Sequence, residues 1–169
     1  MTVDSFKFLP RLIATFYQMT ERAPDLPVPW SPLTKPLSDC KFSLVTSGGL
    51  YVKTNQDPFD VDRERVEPRW GDPSYRTIPL DIRPAEVAVS HLHVNTSYVE
   101  QDINVLLPIN RMQELVRDST IGSVAKHAYS FMGHQGYLPV TSAWESTYAP
   151  RMIDGLQAEA VDCVLLTPS

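Results

Sequence analysis

The sequence predicts an α/β fold: a three-layer sandwich with a small parallel sheet, of the flavodoxin-like kind, preceded by a proline-rich N-terminal arm. From Glu86 onward, short apolar strands alternate with amphipathic helices, a pattern typical of parallel sheets with right-handed crossovers. Eleven of the 15 prolines lie between Pro10 and Pro84, which indicates a loop-rich first half. The length of 169 residues suits one domain, so residues 1–36 are interpreted as helix plus wrapping arm and 37–169 as sheet core.

The first half begins with an amphipathic pattern that predicts a helix over Leu9–Arg22. Four prolines then exclude a helix from Ala23–Pro36 and indicate an extended segment. Phe42–Thr46 is predicted to be the first strand, ended by the turn Ser47–Gly49. Residues 53–84 show no convincing periodicity and are predicted to form a long loop, a lid, a partner-binding arm or an element without a clear pattern.

The second half is more regular. Val87–His91 is apolar on both faces, as expected of a central strand in a covered parallel sheet. The capping-box spacing of Ser142 and Glu145 predicts the start of a helix that buries Trp144, Tyr148, Met152 and Leu156. The remaining predicted elements are helices over Ser97–Asn104 and Ile109–Asp118, a strand within Val124–Phe131 and a last strand over Val161–Thr167.

The composition excludes several classes of function. A net charge of −5 with scattered basic residues argues against nucleic-acid binding, which needs clustered Lys and Arg. No run approaches the roughly 18 apolar residues of a membrane helix, and no secretory signal is evident, so a cytoplasmic protein is expected. Cys40 and Cys163 have no paired spacing and are interpreted as free thiols, with Cys163 a buried hydrophobic residue rather than a nucleophile.

The candidate catalytic residues follow a predicted strand end. His91 and His93 point to the same face of an extended chain, so one of them could act as an acid or base near neutral pH. The same H-x-H pair could instead hold a metal, with further ligands from Asp102, His127 or His134, or could serve only structural hydrogen bonds. His134 lies on a glycine-flanked loop, and we assign catalytic candidacy to His91, His93, His134 and Asp102.

Substrate-binding candidates lie at two other strand ends and, for Arg76, in the long loop. The backbone N–H groups of Ser47, Gly48 and Gly49 could bind a carboxylate or phosphate, although the spacing is not that of a nucleotide-binding motif. Arg76 could bind a substrate carboxylate bidentately. Ser169 lies at the end of the last strand, where ligands bind in folds of this class.

Several segments stand out in a fixed order along the chain. They are Pro36–Ser38, Leu44–Gly49, Asp57–Asp60, Gly71–Pro79, Ser90–His93, Gln101–Val105, Ile121–Ala125, Tyr129–Gly133 and Val164–Pro168. Together they resemble the selenoprotein B family of glycine, sarcosine, betaine and D-proline reductases. The resemblance runs from about Leu33 to the C-terminus, and the order of the segments is more specific than any single motif.

The resemblance implies a reductive function. In that family a cysteine or selenocysteine directly follows the last strand and takes part in cleaving the substrate's Cα–N bond, with the substrate held on a pyruvoyl group of a partner subunit. The present sequence reaches Ser169, one position before the expected nucleophile. After His93 it has Val94–Thr96 in place of an acidic-histidine continuation, a departure that bears on substrate specificity.

Three functions therefore remain open. The first is a reductase-type protein whose thiol or selenol would follow Ser169, acting on a small-molecule substrate with a partner subunit. The second is a non-catalytic, oligomeric subunit or binding module, with Trp30, Trp70 and Trp144 as interface anchors and a homo-oligomer expected. The third is a metal-dependent enzyme built on His91 and His93. The primary interpretation assigns no resident metal or cofactor.

Overall fold

The computed structural model describes residues 10–12, 15, 30–136 and 139–168. Its contacts divide the chain into two units, residues 1–33 and 34–169. In the first unit Thr15 Oγ1 donates to the carbonyl of Arg11 (2.9 Å), and the exposed large apolar side chains among its described residues are Leu12, Trp30 and Leu33. Most of the predicted helix Leu9–Arg22 and of the extended segment lies outside the described residues.

The main sheet of the second unit is built around β1 (Lys41–Thr46). Along one side, β7 (Cys163–Thr167) pairs with it in parallel, from Phe42 opposite Cys163 to Thr46 opposite Thr167. Along the other side lie β5 (Ser123–Val124) and then β6 (His127–Phe131), also parallel. β3 (Tyr75–Pro79) pairs antiparallel with β6 and makes the sheet mixed. The predicted α/β class and its mostly parallel strands are confirmed.

The helices pack on the two faces of this sheet. Along β1, Leu44 joins an apolar cluster with Met112 of α3 (Ile109–Arg117), whereas its neighbour Val45 joins a second cluster with Leu156 of α4 (Ala149–Ala158). Adjacent strand residues point to opposite faces, so the two clusters lie on opposite sides of β1. The predicted helix from Ser142 is confirmed, with a π-helical first part over Trp144–Tyr148.

The predicted central strand Val87–His91 is wrong in its placement. β4 (Val87–Val89) pairs antiparallel with β2 (Leu50–Val52) in a separate two-stranded sheet. Both sides of β1 are already occupied by other strands, and Gly49 turns the chain with a φ of 66°. The apolar pattern of β4 therefore reflects packing of this small sheet in the core, since periodicity alone does not reveal which sheet a short strand joins.

The segment 53–84, expected to be a long loop, contains regular structure. A short helix, α1 (Val61–Val66), is capped by Asp60, whose side chain accepts from the N–H of Arg63 (3.0 Å). β3 follows and gains its regularity from pairing with β6, a long-range contact that leaves little trace in local periodicity. The remaining α-helix in the described part of this unit is α2 (Thr96–Gln101), which overlaps the predicted Ser97–Asn104 helix and is followed by a 3₁₀ turn over Ile103–Val105.

Candidate active site at the strand ends

The C-terminal ends of β1 and β6 meet the residues that follow β4. The N–H of Gly49 donates to the carbonyl of Phe131 (2.9 Å), and the N–H of Ser90 donates to the carbonyl of Gly49 (2.8 Å). Gly48 and Met132 form an isolated antiparallel bridge. A side chain at Gly49 would place its Cβ 2.4 Å from the carbonyl oxygen of Ser90, so glycine allows this close approach. The structure thus brings the Ser47–Gly49 turn next to His91.

Three histidines and one glutamate form a cluster at this edge. The rings of His91 and His93 have centroids 5.9 Å apart, and those of His93 and His134 are 5.0 Å apart. His93 Nε2 lies 3.0 Å from Glu64 Oε1. Three of the four predicted catalytic residues therefore lie together, with a carboxylate that the sequence did not suggest.

The surroundings of His91 disfavour its charged form. Burial, followed by the nearby His93 and His134, lowers the pKa of its imidazole below the ordinary value. Its Nδ1 accepts a hydrogen bond from the N–H of His93 (3.0 Å), so the proton of the neutral ring is on Nε2. That Nε2 is buried and has no hydrogen-bond partner among the described residues, which makes it a donor suited to a bound ligand.

Glu64 is the functional candidate that sequence reasoning missed. It lies on α1 and is 4% exposed, in a helix otherwise rich in exposed charges. The sequence Asp62–Arg65 reads as a solvated charge run, and its neighbours give no periodic signal. Only the tertiary position of α1 distinguishes this carboxylate from the others.

The loop that carries His134 is fixed by close backbone contacts. A Cβ at Gly71 would lie 2.2 Å from the carbonyl oxygen of His134. The buried Gln135 donates its Nε2 to the carbonyls of Asp72 (2.8 Å) and Met132 (3.0 Å). The histidine therefore sits on a positioned loop rather than on a slack one.

The turn Ser47–Gly49 uses its N–H groups within the fold. Ser47 N–H donates to the carbonyl of Thr167 (3.4 Å), Gly48 N–H to Thr46 Oγ1 (3.1 Å), and Gly49 N–H to Phe131 as described above. The turn is thereby tied to β6 and β7. Binding of a carboxylate or phosphate by these amides stays a prediction, and it would require one of these bonds to open.

The side chains of Asp102 and Arg76 make contacts within the fold. Asp102 caps the 3₁₀ turn, where hydrogen bonds from the side chain and N–H of Asn104 lower the pKa of its carboxyl. The Arg76 guanidinium donates to the carbonyls of Asp57 (2.8 Å) and Pro58 (3.1 Å) and stacks on the ring of Phe59. These contacts order the 53–84 segment. A direct substrate role stays a prediction for both, and Ser169 lies outside the described residues.

His127, proposed from sequence as a further ligand, lies at the opposite end of β6. Its Nδ1 is hydrogen-bonded to Glu159 Oε1, and the second carboxylate oxygen accepts the N–H of Lys126. Burial acts to raise the pKa of Glu159, but these hydrogen bonds outweigh it, and the pKa lies below its ordinary value. This pair connects β6 to the residue after α4 and does not belong to the histidine cluster.

A cavity of about 290 Å³ lies beside the ends of β1 and β7. Its lining is mainly apolar and includes Phe131, Trp144, Met152, Leu166 and Pro168. The buried Nε1 of Trp144 has no hydrogen-bond partner among the described residues. The cavity therefore offers an apolar surface.

A sequence model of the family described as glycine/sarcosine/betaine reductase selenoprotein B matches residues 11–169. The chain belongs to this family. The resemblance carried by the ordered motifs is thus confirmed, from the strand and turn at Leu44–Gly49 to the last strand.

Three relatives named as reductase subunits are similar in sequence to this chain. The chain is 35% identical over 141 residues to the D-proline reductase subunit gamma of Acetoanaerobium sticklandii. It is 31% identical over 141 residues to a glycine reductase complex component B subunit gamma of Symbiobacterium thermophilum, and 26% identical to a sarcosine reductase complex component B subunit beta of Peptoclostridium acidaminophilum. Each match covers 83% of this chain.

The chain spans only part of these family members. The matches cover 53% of the D-proline reductase subunit and 31% and 30% of the other two. No solved structure is significantly similar to the chain. None of the helices in the described ranges is long and apolar enough to cross a membrane.

Proposed function

We propose that this chain is a component of a reductase complex that cleaves a Cα–N bond in a small amino-acid-like substrate. The observation that carries the proposal is the family match over residues 11–169, together with relatives named as subunits of D-proline, glycine and sarcosine reductases. A net reduction of this bond adds two electrons and two protons. A thiol or selenol, with a second thiol to complete a disulfide, can supply them.

The hydrogen bonds at the end of β7 support the proposal that the thiol or selenol follows this strand. The carbonyl of Thr167 accepts hydrogen bonds from Thr46 Oγ1 (3.0 Å) and from the N–H of Ser47 (3.4 Å), and Thr167 Oγ1 donates to the carbonyl of Leu106 (2.8 Å). A residue placed soon after Pro168 would therefore start from a fixed backbone. In this arrangement His91, with its Nε2–H, is proposed to donate a hydrogen bond to the bound substrate.

Cys163 is not the proposed nucleophile. It lies at the start of β7, the end opposite Thr167, and burial raises the pKa of its thiol above the ordinary value. A thiol that stays protonated at neutral pH is a weak nucleophile. Cys163 is partly exposed and not fully buried as the sequence predicted, and its raised pKa argues against a nucleophilic role.

The fold contributes two further parts to the proposal. The apolar clusters on opposite faces of β1 support the three-layer, flavodoxin-like arrangement. In such folds ligands bind beyond the carboxyl ends of the strands, where the histidine cluster lies.

The edge of β7 favours the second candidate function, that of a binding subunit. No described strand pairs with its free edge, and Val164, Leu165 and Leu166 are 39%, 42% and 67% exposed. An exposed apolar edge strand is a surface that other chains or segments cover. A partner subunit or a second copy of this chain would use this edge, and the two candidate functions are compatible.

The reading frame and its product test the reductase proposal. We expect the codons after Ser169 to continue in frame and to specify a cysteine or selenocysteine. The purified product should then oxidise a dithiol in the presence of D-proline, glycine, sarcosine or betaine, together with its partner subunits. Replacing the new nucleophile by Ser should abolish this activity, whereas Cys163→Ser should retain it. A stop codon followed by unrelated sequence would remove the proposal.

The binding role has a separate test. Light scattering of the purified chain should show an oligomer or a stable complex with a partner subunit, and Leu166→Lys should shift the protein towards the monomer. Ile153→Lys, at another exposed apolar side chain on α4, is the matched control. A wild-type monomer that binds no reductase subunit contradicts this role.

A further inference from the structure

Among the described residues, the buried carboxylate of Glu64 has no Lys or Arg side chain as partner. An ionised carboxylate in the protein interior is costly unless it is paired or bound to a metal. The adjacent Arg63 and Arg65 pair with Glu67 (3.1 Å) and Asp62 (2.6 Å) on the exposed side of α1. Within the described residues, the only hydrogen-bond partner of the Glu64 side chain is His93. A histidine or a bound cation would therefore have to balance the negative charge of Glu64.

The three side chains Glu64, His93 and His134 are close enough to share one ion. A carboxylate oxygen of Glu64 and one ring nitrogen of each histidine lie within 4.8 Å of one another. Ligand atoms of a tetrahedral zinc ion are about 3.3 Å apart for bonds of about 2.05 Å. The Glu64–His93 separation of 3.0 Å is close to this spacing, and His134, whose ring nitrogen lies within 4.8 Å of both ligand atoms, would complete the site by moving towards them.

The three residues come from three separate elements. Glu64 is on α1, His93 follows β4, and His134 is on the loop after β6, whose backbone is held against Gly71. The tertiary fold, and not a local turn, therefore brings these three side chains together. The side chain of His93 is 58% exposed, which leaves a path from solvent to the cluster.

We propose that Glu64, His93 and His134 bind a divalent transition-metal ion, with Zn²⁺ as the preferred ion and a fourth position open to water or substrate. Two imidazoles and one carboxylate match the ligand set of catalytic zinc sites and of non-haem Fe²⁺ sites. They do not match Mg²⁺ or Ca²⁺, which prefer sites made of oxygen ligands. The metal site is independent of the thiol chemistry proposed above.

His91 is excluded as a ligand by its hydrogen bonding. Its Nδ1 accepts the N–H of His93, and the remaining nitrogen, Nε2, carries a proton and not a free lone pair. In this proposal the Nε2–H of His91 donates a hydrogen bond to a molecule bound at the open metal position. This assignment differs from the H-x-H pair suggested by the sequence, because only the second histidine of that pair is a ligand.

Titration of metal-stripped protein tests the site. The whole chain, dialysed against a chelator and then against buffer, should bind about one Zn²⁺ per chain in a calorimetric titration, and Mg²⁺ should not compete. Co²⁺ should give the visible absorption of a site with nitrogen and oxygen ligands. Glu64→Gln and His134→Ala should each weaken Zn²⁺ binding at least about 100-fold, as loss of a ligand costs more than loss of a supporting residue.

The controls use the other His–Glu pair and the thiols. His127→Ala and Glu159→Gln remove a similar pair at the far end of β6 and should leave the affinity unchanged within about twofold. Thermal unfolding checks that each variant is folded, and His134→Ala, on a loop, carries the test if Glu64→Gln is unstable. The proposal is overturned if wild type shows no saturable Zn²⁺ binding, if both ligand variants bind like wild type, or if Cys163→Ser alone abolishes binding.

Discussion

Two His–Glu pairs lie at opposite ends of β6, and they differ in how well each carboxylate is satisfied. Glu159 accepts both His127 and the N–H of Lys126, and its side chain is 19% exposed. Glu64 is almost fully buried, and its one described hydrogen bond is to His93. Similar residue types thus form a fully hydrogen-bonded pair between β6 and the residue after α4 at one end, and at the other a buried carboxylate with a single described hydrogen bond.

The difference shows how to separate structural from functional histidines. Buried polar groups are almost always satisfied, so an unsatisfied one needs an explanation. At the strand ends, the buried Nε2 of His91 has no hydrogen-bond partner among the described residues, and the Glu64 carboxylate has one, to His93. At the other end of β6 the Glu159 carboxylate has both oxygens occupied. Unused hydrogen-bonding capacity, and not the presence of histidine, is what favours ligand binding at the strand ends.

The largest expected effect comes from a glycine that supports the histidine cluster. In Gly71→Ala the new Cβ would meet the carbonyl oxygen of His134 at 2.2 Å and the Cα of Gln135 at 2.5 Å, both backbone atoms. The loop must move, so we expect a loss of about 2–3 kcal/mol in the free energy of unfolding, as for an overpacked site. Urea denaturation measures it, and Zn²⁺ affinity should fall in the same variant.

A glycine near the other pair is the matched control. In Gly155→Ala the Cβ would meet the hydroxyl of Tyr129 at 2.2 Å, at the end of a side chain and not at backbone. Alanine also favours the helix by about 1 kcal/mol over glycine, which offsets part of the clash. The loss should therefore be the smaller of the two, with Zn²⁺ affinity unchanged. Equal losses would mean that the His134 loop is no more constrained than α4.

The two carboxylates should respond oppositely to neutralisation. Glu159→Gln removes a charged acceptor of two hydrogen bonds, and we expect the free energy of unfolding to fall by about 1–2 kcal/mol. Glu64→Gln keeps an acceptor for His93 and removes a buried charge, so metal-stripped protein should lose less than about 0.5 kcal/mol or become more stable. Urea denaturation in the presence of chelator compares them. A larger loss of unfolding free energy for Glu64→Gln than for Glu159→Gln would show that the His93–Glu64 pair itself stabilises the fold.

The sequence predicted the strands of the sheet core better than their partners. β1, β6 and β7 were evident because each is a short apolar run bounded by polar or turn residues. β4 was assigned to the wrong sheet, since a three-residue strand carries no information about its partner. β3 and α1 were missed because their order depends on pairing with β6 and on the cap at Asp60.

The histidines of the site could be predicted from their position after strands, but its carboxylate could not. His91 and His93 follow an apolar strand, and the loop of His134 follows another. Glu64 resembles its charged neighbours in every local respect, and its burial comes only from where α1 packs. Asp102 was selected because it could supply an oxygen, yet in the fold its carboxylate caps a turn and binds Asn104.

The smallest expected effect is the pH dependence of the Glu159 pair. Burial acts to raise the pKa of this carboxyl, while the hydrogen bonds from His127 and Lys126 lower it below its ordinary value, and the hydrogen bonds prevail. A carboxyl with a lowered pKa in the folded state contributes stability above its unfolded pKa, and this contribution is lost as the pH falls through the folded pKa. The stability difference between wild type and Glu159→Gln should thus shrink from about pH 5 to about pH 3 in urea denaturation series. A difference that instead grows as the pH falls would mean that burial prevails, and the contrast with Glu64 would then be one of degree and not of kind.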